Sequence, residues 1–321
     1  MPLSLSQKLT LSSSSSLISL GACCLQLVAI FGSLGSTHPA YTDELARAKI
    51  SAATTDAAGV HSHQVVSPLQ AGPTEIRVMM SPGVSSSDKA PVVYLLPVEA
   101  NRESRYGDPI RELLDKKLAE RHRAIYVAPT FAHLPWYANH PHRDDLQQEK
   151  YFVEVVVPFI ERSYPAITER RGRLLVGFSK SGWGAWTLLL RNPDLFDRAG
   201  AFDAPMMLDR PGKYGSGEIF GDQDNFAKYH VHSLLAERRD DLRTVDPPRL
   251  LLIGVGNFAS EHTQIKRRLA ELEIPLAAHD PARRPHDWHS GWVADLLDQL
   301  LPLRKLPLQQ LPLAPPKKPK P

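Results

Sequence analysis

Apolar positions along this chain follow two periods. Residues 91–96, 124–128, 174–178, 200–202 and 249–253 form short runs that are apolar at nearly every position. Such runs predict strands covered on both faces, because a strand with one wet face would alternate. Between them the apolar residues recur at helical spacing, as in Ile110, Leu113, Leu114 and Leu118, and again in Ile265, Leu269 and Leu272. Phe152, Val155, Val156, Phe159 and Ile160 keep one helical face across Pro158, which predicts one kinked helix rather than two elements. Residues 41–57 suggest a polar, Ala-rich helix, and 63–80 a pair of strands broken at Gly72-Pro73. Strands alternating with helices imply an α/β fold with a mainly parallel central sheet and helices on both faces. Ligands of such sheets sit beyond the carboxyl ends of the strands.

The ends of the chain depart from this pattern. Lys8, a run of serines and an apolar stretch from Leu17 to Leu34 resemble a secretory signal peptide, so residues 1–35 are expected to be a signal peptide or an N-terminal anchor. Export to a secreted or periplasmic location is the expectation, with membrane anchoring as the alternative; after signal cleavage no stable membrane association is expected. Both cysteines, Cys23 and Cys24, lie in that segment, so residues 36–301, the expected catalytic domain, have no disulfide framework. Residues 302–321 are rich in Pro, Leu and Lys without helical period and read as a disordered tail.

Candidate chemistry concentrates where an apolar run enters a Gly/Ser turn and leaves as a helix, in GFSKSGWGA from Gly177 onward. This is the local pattern of a nucleophile elbow, in which a serine hydroxyl stands clear of a strained strand-to-helix turn. Ser179 is the candidate nucleophile. The usual second glycine of G-x-S-x-G is replaced by Ser181, while Gly182 and Gly184 follow at once. A serine needs a base, and the base an orienting acid. Downstream, the buried run ending at Gly256 is followed by Asn257 and Glu261, and a later loop carries His286, Asp287 and Trp288.

GFSKSGWGA, the strand LLLIG and the terminal HDW before an aromatic-bearing helix resemble the esterase group of α/β-hydrolases that includes esterase D, feruloyl and enterochelin esterases and the antigen 85 mycolyltransferases. The resemblance spans about residues 60 to 300 and implies an α/β-hydrolase fold and a serine esterase without cofactor. Motif by motif, it gives Ser179 the nucleophile's place and His286 the base's, with His289 and His279 as competitors. Many members carry Asp where this chain has Asn257, which favours Glu261 as the acid; Asp203, after the preceding strand, is the alternative. The oxyanion hole is expected from the backbone of Lys180 together with Val98 or Glu99, since Pro97 has no N–H. Trp136, Tyr137 and Trp183 are candidate substrate-binding aromatics, with Trp186 beside them. The segment 203–232 is a candidate cap.

Charge adds little. With 38 basic and 35 acidic residues the net charge is +3, and no nucleic-acid-reading motif is present. His140, His142, Asp144 and Asp145 could be read as zinc ligands, but their spacing specifies no complete set, so no metal is expected. The expected partner is a small-molecule or carbohydrate-linked ester. An acyltransferase of the same fold and a non-catalytic ligand-binding protein on a hydrolase scaffold are the alternative readings.

Overall fold

The computed structural model describes residues 41–303 apart from 255 and 281. The expected signal segment lies outside the described residues, as does nearly all of the Pro/Lys-rich tail. Among the described residues ten strands form one sheet: β1 (Lys49–Ile50), β2 (Thr54–Thr55), β3 (His61–Val66), β4 (Thr74–Met80), β5 (Val92–Leu96), β6 (Ile125–Pro129), β7 (Arg173–Phe178), β8 (Arg198–Phe202), β9 (Leu250–Ile253) and β10 (Leu276–His279). Their order is β1-β3-β4-β6-β5-β7-β8-β9-β10, with β2 on β3. Pairings from β6 to β10 are parallel, and those among β1, β2, β3, β4 and β6 are antiparallel.

The unbroken apolar runs are strands dressed on both faces. In β5, Val92, Tyr94 and Leu96 join one core layer while Val93 and Leu95 join the other. β9 divides in the same way, Leu250 and Leu252 against Leu251 and Ile253. The two-residue period is thus intact, hidden in the sequence because both faces are apolar. Helices Val157–Ser163 and Lys180–Arg191 contribute to the first layer, and Pro109–Asp115 and Trp292–Leu300 to the second.

The expected kinked helix is one run, from Gln148 through Ser163, whose middle segment Phe152–Val156 is a π-helical turn. The wide turn immediately precedes Pro158, whose ring and missing N–H would break a regular ladder. The expected helix over 41–57 is shorter, ending at Arg47. Beyond it Lys49 and Ile50 pair with Val66 and Val65, and Thr54 and Thr55 with Ser62 and His61. β-branched Ile50, Thr54 and Thr55 suit an edge ribbon better than a helix, and the neighbouring strand captures them.

Candidate active site

The carboxyl ends of β7, β8 and β9 carry the site. Ser179 follows β7 directly and has φ 51° and ψ −134°, a left-handed conformation rare for a side-chain-bearing residue. Its amide donates to Phe202 O of β8 at 3.0 Å, and its carbonyl accepts from Gly182 N at 3.0 Å. Close backbone approach sets the glycines: a Cβ on Gly177 would lie 2.3 Å from Ser181 O, and one on Gly182 2.9 Å from Ala204 Cβ. Position 181 makes no such demand. Ser181 is fully buried, its hydroxyl accepting from Phe178 N at 3.0 Å and donating to Phe178 O at 2.9 Å. Serine in place of the usual glycine ties the end of β7 to the start of the helix.

The carboxylate bonded to His286 is not the expected one. Asp203, the first residue after β8, also has positive φ, 39°, and its side chain is fully buried. Its Oδ2 accepts from His286 Nδ1 at 2.7 Å and from Asn257 N at 2.9 Å, and its Oδ1 from Phe258 N at 2.8 Å. Burial pushes its pKa up, but the bonds from His286, Phe258 and Asn257 outweigh that and hold it below the ordinary carboxylate range. Asn257 therefore serves through its backbone, where an aspartate was the residue to look for. Gly256 makes room: a Cβ there would meet Asp203 Oδ2 at 2.3 Å.

Glu261, the expected acid, is not on His286. Its Oε2 accepts from Met207 N at 2.9 Å, bracing the loop that leaves Asp203, and burial raises its affinity for a proton. The same helix contributes His262, nearly fully buried, whose Nε2 accepts from Ala204 N at 2.9 Å and whose Nδ1 donates to Gly254 O at 3.1 Å. That role requires neutral imidazole, and burial lowers the pKa accordingly. Helix residues 261 and 262 thus pin the Asp203 loop from two sides.

With Nδ1 donating to Asp203, Nε2 of His286 is left as the acceptor of the ring. The ring is flanked edge-on by Phe178 at 5.1 Å and Tyr106 at 5.9 Å. Of its competitors, His289 is engaged by Glu112 Oε2 and Asp108 N, and His279 is an exposed residue at the end of β10.

Ser179 and His286 open on one cleft of about 390 Å³, whose wall also includes Val98, Lys180, Tyr106, Leu134, Tyr214 and Phe258. Val98 lines this cleft, whereas Glu99 does not; the Glu99 carboxylate accepts from Tyr106 N at 3.1 Å and faces Arg105 at 3.4 Å. Of the two candidate second donors, Val98 is the one on the cleft wall. Trp136, Tyr137 and Trp183, expected to touch substrate, are fully buried instead. Trp136 and Trp183 meet edge-on at 5.4 Å, Tyr137 donates to Pro97 O, and Trp186 donates to Leu251 O. Large rings next to an elbow helix are first of all packing material. The aromatics that do reach the cleft, Tyr106, Tyr214 and Phe258, sit on loops whose placement depends on distant partners; only the neighbourhood of Phe258 to the strand end at 253 hinted at this.

His140 is not a ligand of a metal cluster among the described residues. Its Nδ1 accepts from His142 N, and Arg143 of the same polar loop bridges Asp145 and, from the later helix Gly217–Phe220, Glu218.

The "Putative esterase" family model matches residues 71–303, most of the chain. No curated protein matches. Among solved structures, a ferulic acid esterase is 22% identical with a TM-score of 0.57, covering 80% of this chain and 97% of that one. An S-formylglutathione hydrolase from Agrobacterium tumefaciens is 18% identical with a TM-score of 0.58, covering 78% and 98%. The fluorophosphonate-binding serine hydrolase F of Staphylococcus aureus is 15% identical with a TM-score of 0.60, covering 78% and 99%. At these identities the likeness is one of fold, that of the α/β-hydrolases.

Proposed function

Since the chain belongs to the esterase family and is an ester-hydrolysing enzyme of α/β-hydrolase fold, we propose that it cleaves carboxylic esters through an acyl-enzyme on Ser179, with His286 as base and Asp203 as the acid that orients it. The observation that carries this reading is the partly buried Asp203–His286 hydrogen bond at the edge of a cleft that Ser179 shares. Attack by Ser179 Oγ on the ester carbonyl passes its proton to His286 Nε2. Asp203 keeps Nδ1 protonated, so Nε2 is the nitrogen free to accept, and it stabilises the imidazolium that forms. The tetrahedral oxyanion is received by the backbone N–H of Lys180, at the start of a twelve-residue helix, and by that of Val98. The imidazolium then protonates the departing alcohol. Water, deprotonated by His286, attacks the acyl-enzyme and releases the acid and Ser179.

Two sequence features favoured a non-catalytic scaffold, namely Ser181 in the elbow and Asn257 in the acid loop. Both have structural employment that is compatible with the Asp203–His286 hydrogen bond. Labelling of the protein with a fluorophosphonate probe tests the proposal: wild type should label, and Ser179→Ala and His286→Ala should not. A folded wild type that fails to label would overturn it.

A further inference from the structure

Lys180 is a cation in a costly place. It opens the helix Lys180–Arg191, where the macrodipole disfavours positive charge. The residue is only 9% exposed, yet it lines the cleft. No carboxylate among the described residues comes within 4 Å of its ammonium, whereas most buried lysines are paired. Burial brings it down to about 8; Glu99 opposes that pull and Arg105 adds to it. Arg105 stands on the same cleft wall, its guanidinium 4.7 Å above the Tyr106 ring.

Resting on the esterase reading, we infer that Lys180 and Arg105 together hold an anionic group of the substrate, so that the preferred ester carries a carboxylate close to its scissile carbonyl. Closeness follows from the chain: Lys180 is the neighbour of Ser179. Charge balance selects the anion. Glu99 already faces Arg105, and Glu103 is exposed to solvent, so the pair presents about one uncompensated positive charge, matching a carboxylate monoanion better than a phosphate dianion. A bound carboxylate would give Lys180 the ion-pair partner that the described residues do not place within 4 Å of it, with the helix N-terminus reinforcing it.

The test compares matched esters. On the alcohol side the pair is meta-carboxyphenyl acetate and meta-carbamoylphenyl acetate; on the acyl side it is the para-nitrophenyl ester of adipic acid and that of its monomethyl ester. Wild type should favour the anionic member of at least one pair by about tenfold in kcat/KM, equivalent to about 1.4 kcal/mol. Lys180→Met should bring that ratio near one, Lys180→Arg should retain it, and Arg105→Gln should lower it about threefold. A ratio unmoved by Lys180→Met overturns the inference, since a lysine acting only on the reaction's own oxyanion would slow both esters equally. A wild type that labels with fluorophosphonate and turns over neutral esters without preference also overturns it and leaves the esterase reading standing. Absence of both labelling and turnover overturns both.

Discussion

The elbow around Ser179 and the loop around Asp203 are built on opposite plans. Most of what shapes the elbow lies within a few residues of chain: Gly177, Ser181 and Gly182 fix the turn through contacts with one another, and β8 with the loop after it adds Phe202 O and the close approach of Ala204. Asp203 is held by partners from far along the chain, the amides of Asn257 and Phe258 and the imidazole of His286, while Glu261 and His262 brace the segment behind it. One half of the site is thus a local motif, and the other exists only once β8, β9 and the His286 loop have assembled.

The largest expected effect comes from the local half. Ser179→Ala should reduce kcat by about a millionfold, as removal of a triad nucleophile does elsewhere. The contrast between the halves is sharpened by the carboxylates. Asp203→Asn should cost about ten-thousandfold in kcat, because the amide supports the wrong imidazole tautomer. Glu261→Gln keeps an acceptor for Met207 N and should cost less than about tenfold, within what a modest shift in loop position explains. Steady-state kinetics on one neutral ester decides it: equal losses at the two positions would erase the distinction drawn here.

The same contrast explains what the sequence could reveal. Strand and helix order was legible in the apolar period, and the candidates Ser179 and His286, which the structure brings to one cleft, stood out locally by the glycines of the turn and by the place before Asp-Trp. Asp203 was legible only as an alternative, since nothing near Phe202 says that a cavity made by Gly256 and two distant amides awaits it. Asn257 misled because a side-chain pattern was sought where a backbone N–H serves. Trp136, Tyr137 and Trp183 misled for the converse reason: ring size predicts burial, and for Trp183 proximity in sequence to the elbow says nothing about which side of the helix is cleft.

Gly256→Ala probes the assembled half without touching a catalytic side chain. The added methyl would lie 2.3 Å from Asp203 Oδ2 and must displace the carboxylate or the loop. A shift on the order of an ångström in a triad member costs about a hundredfold in rate. The expected outcome is that loss, with fluorophosphonate labelling slowed in proportion and a far-ultraviolet circular dichroism spectrum unchanged. Full activity would mean that the acid loop is as tolerant as a surface turn.

The smallest effect returns to the elbow and concerns stability. Lys180 is lowered from its ordinary value to about 8, chiefly by burial, against the pull of Glu99 and with the push of Arg105; exposed Glu103 contributes a weaker attraction. The remaining ionisable groups on the cleft wall are His286, bonded to the buried Asp203 behind it, and the phenols of Tyr106 and Tyr214. Below pH 8 the lysine is charged in both folded and unfolded chains, so the folded state bears the full cost of the buried charge. Between 8 and the ordinary lysine value the unfolded chain binds the extra proton, and stability rises with pH as that cost disappears. Lys180→Met removes the charge altogether and should stabilise the protein at neutral pH by on the order of 2 kcal/mol, the scale of such a shift discounted for solvent reaching the cleft. The gain should shrink as pH rises through that window, read as the difference in urea midpoints between variant and wild type at pH 7 and pH 10. Together with a loss of preference for anionic esters, a stabilised variant would mark Lys180 as a residue whose charge destabilises the fold and is retained for recognition. A variant no more stable than wild type would mean that the ammonium is already well solvated, and that the elbow carries no such strain.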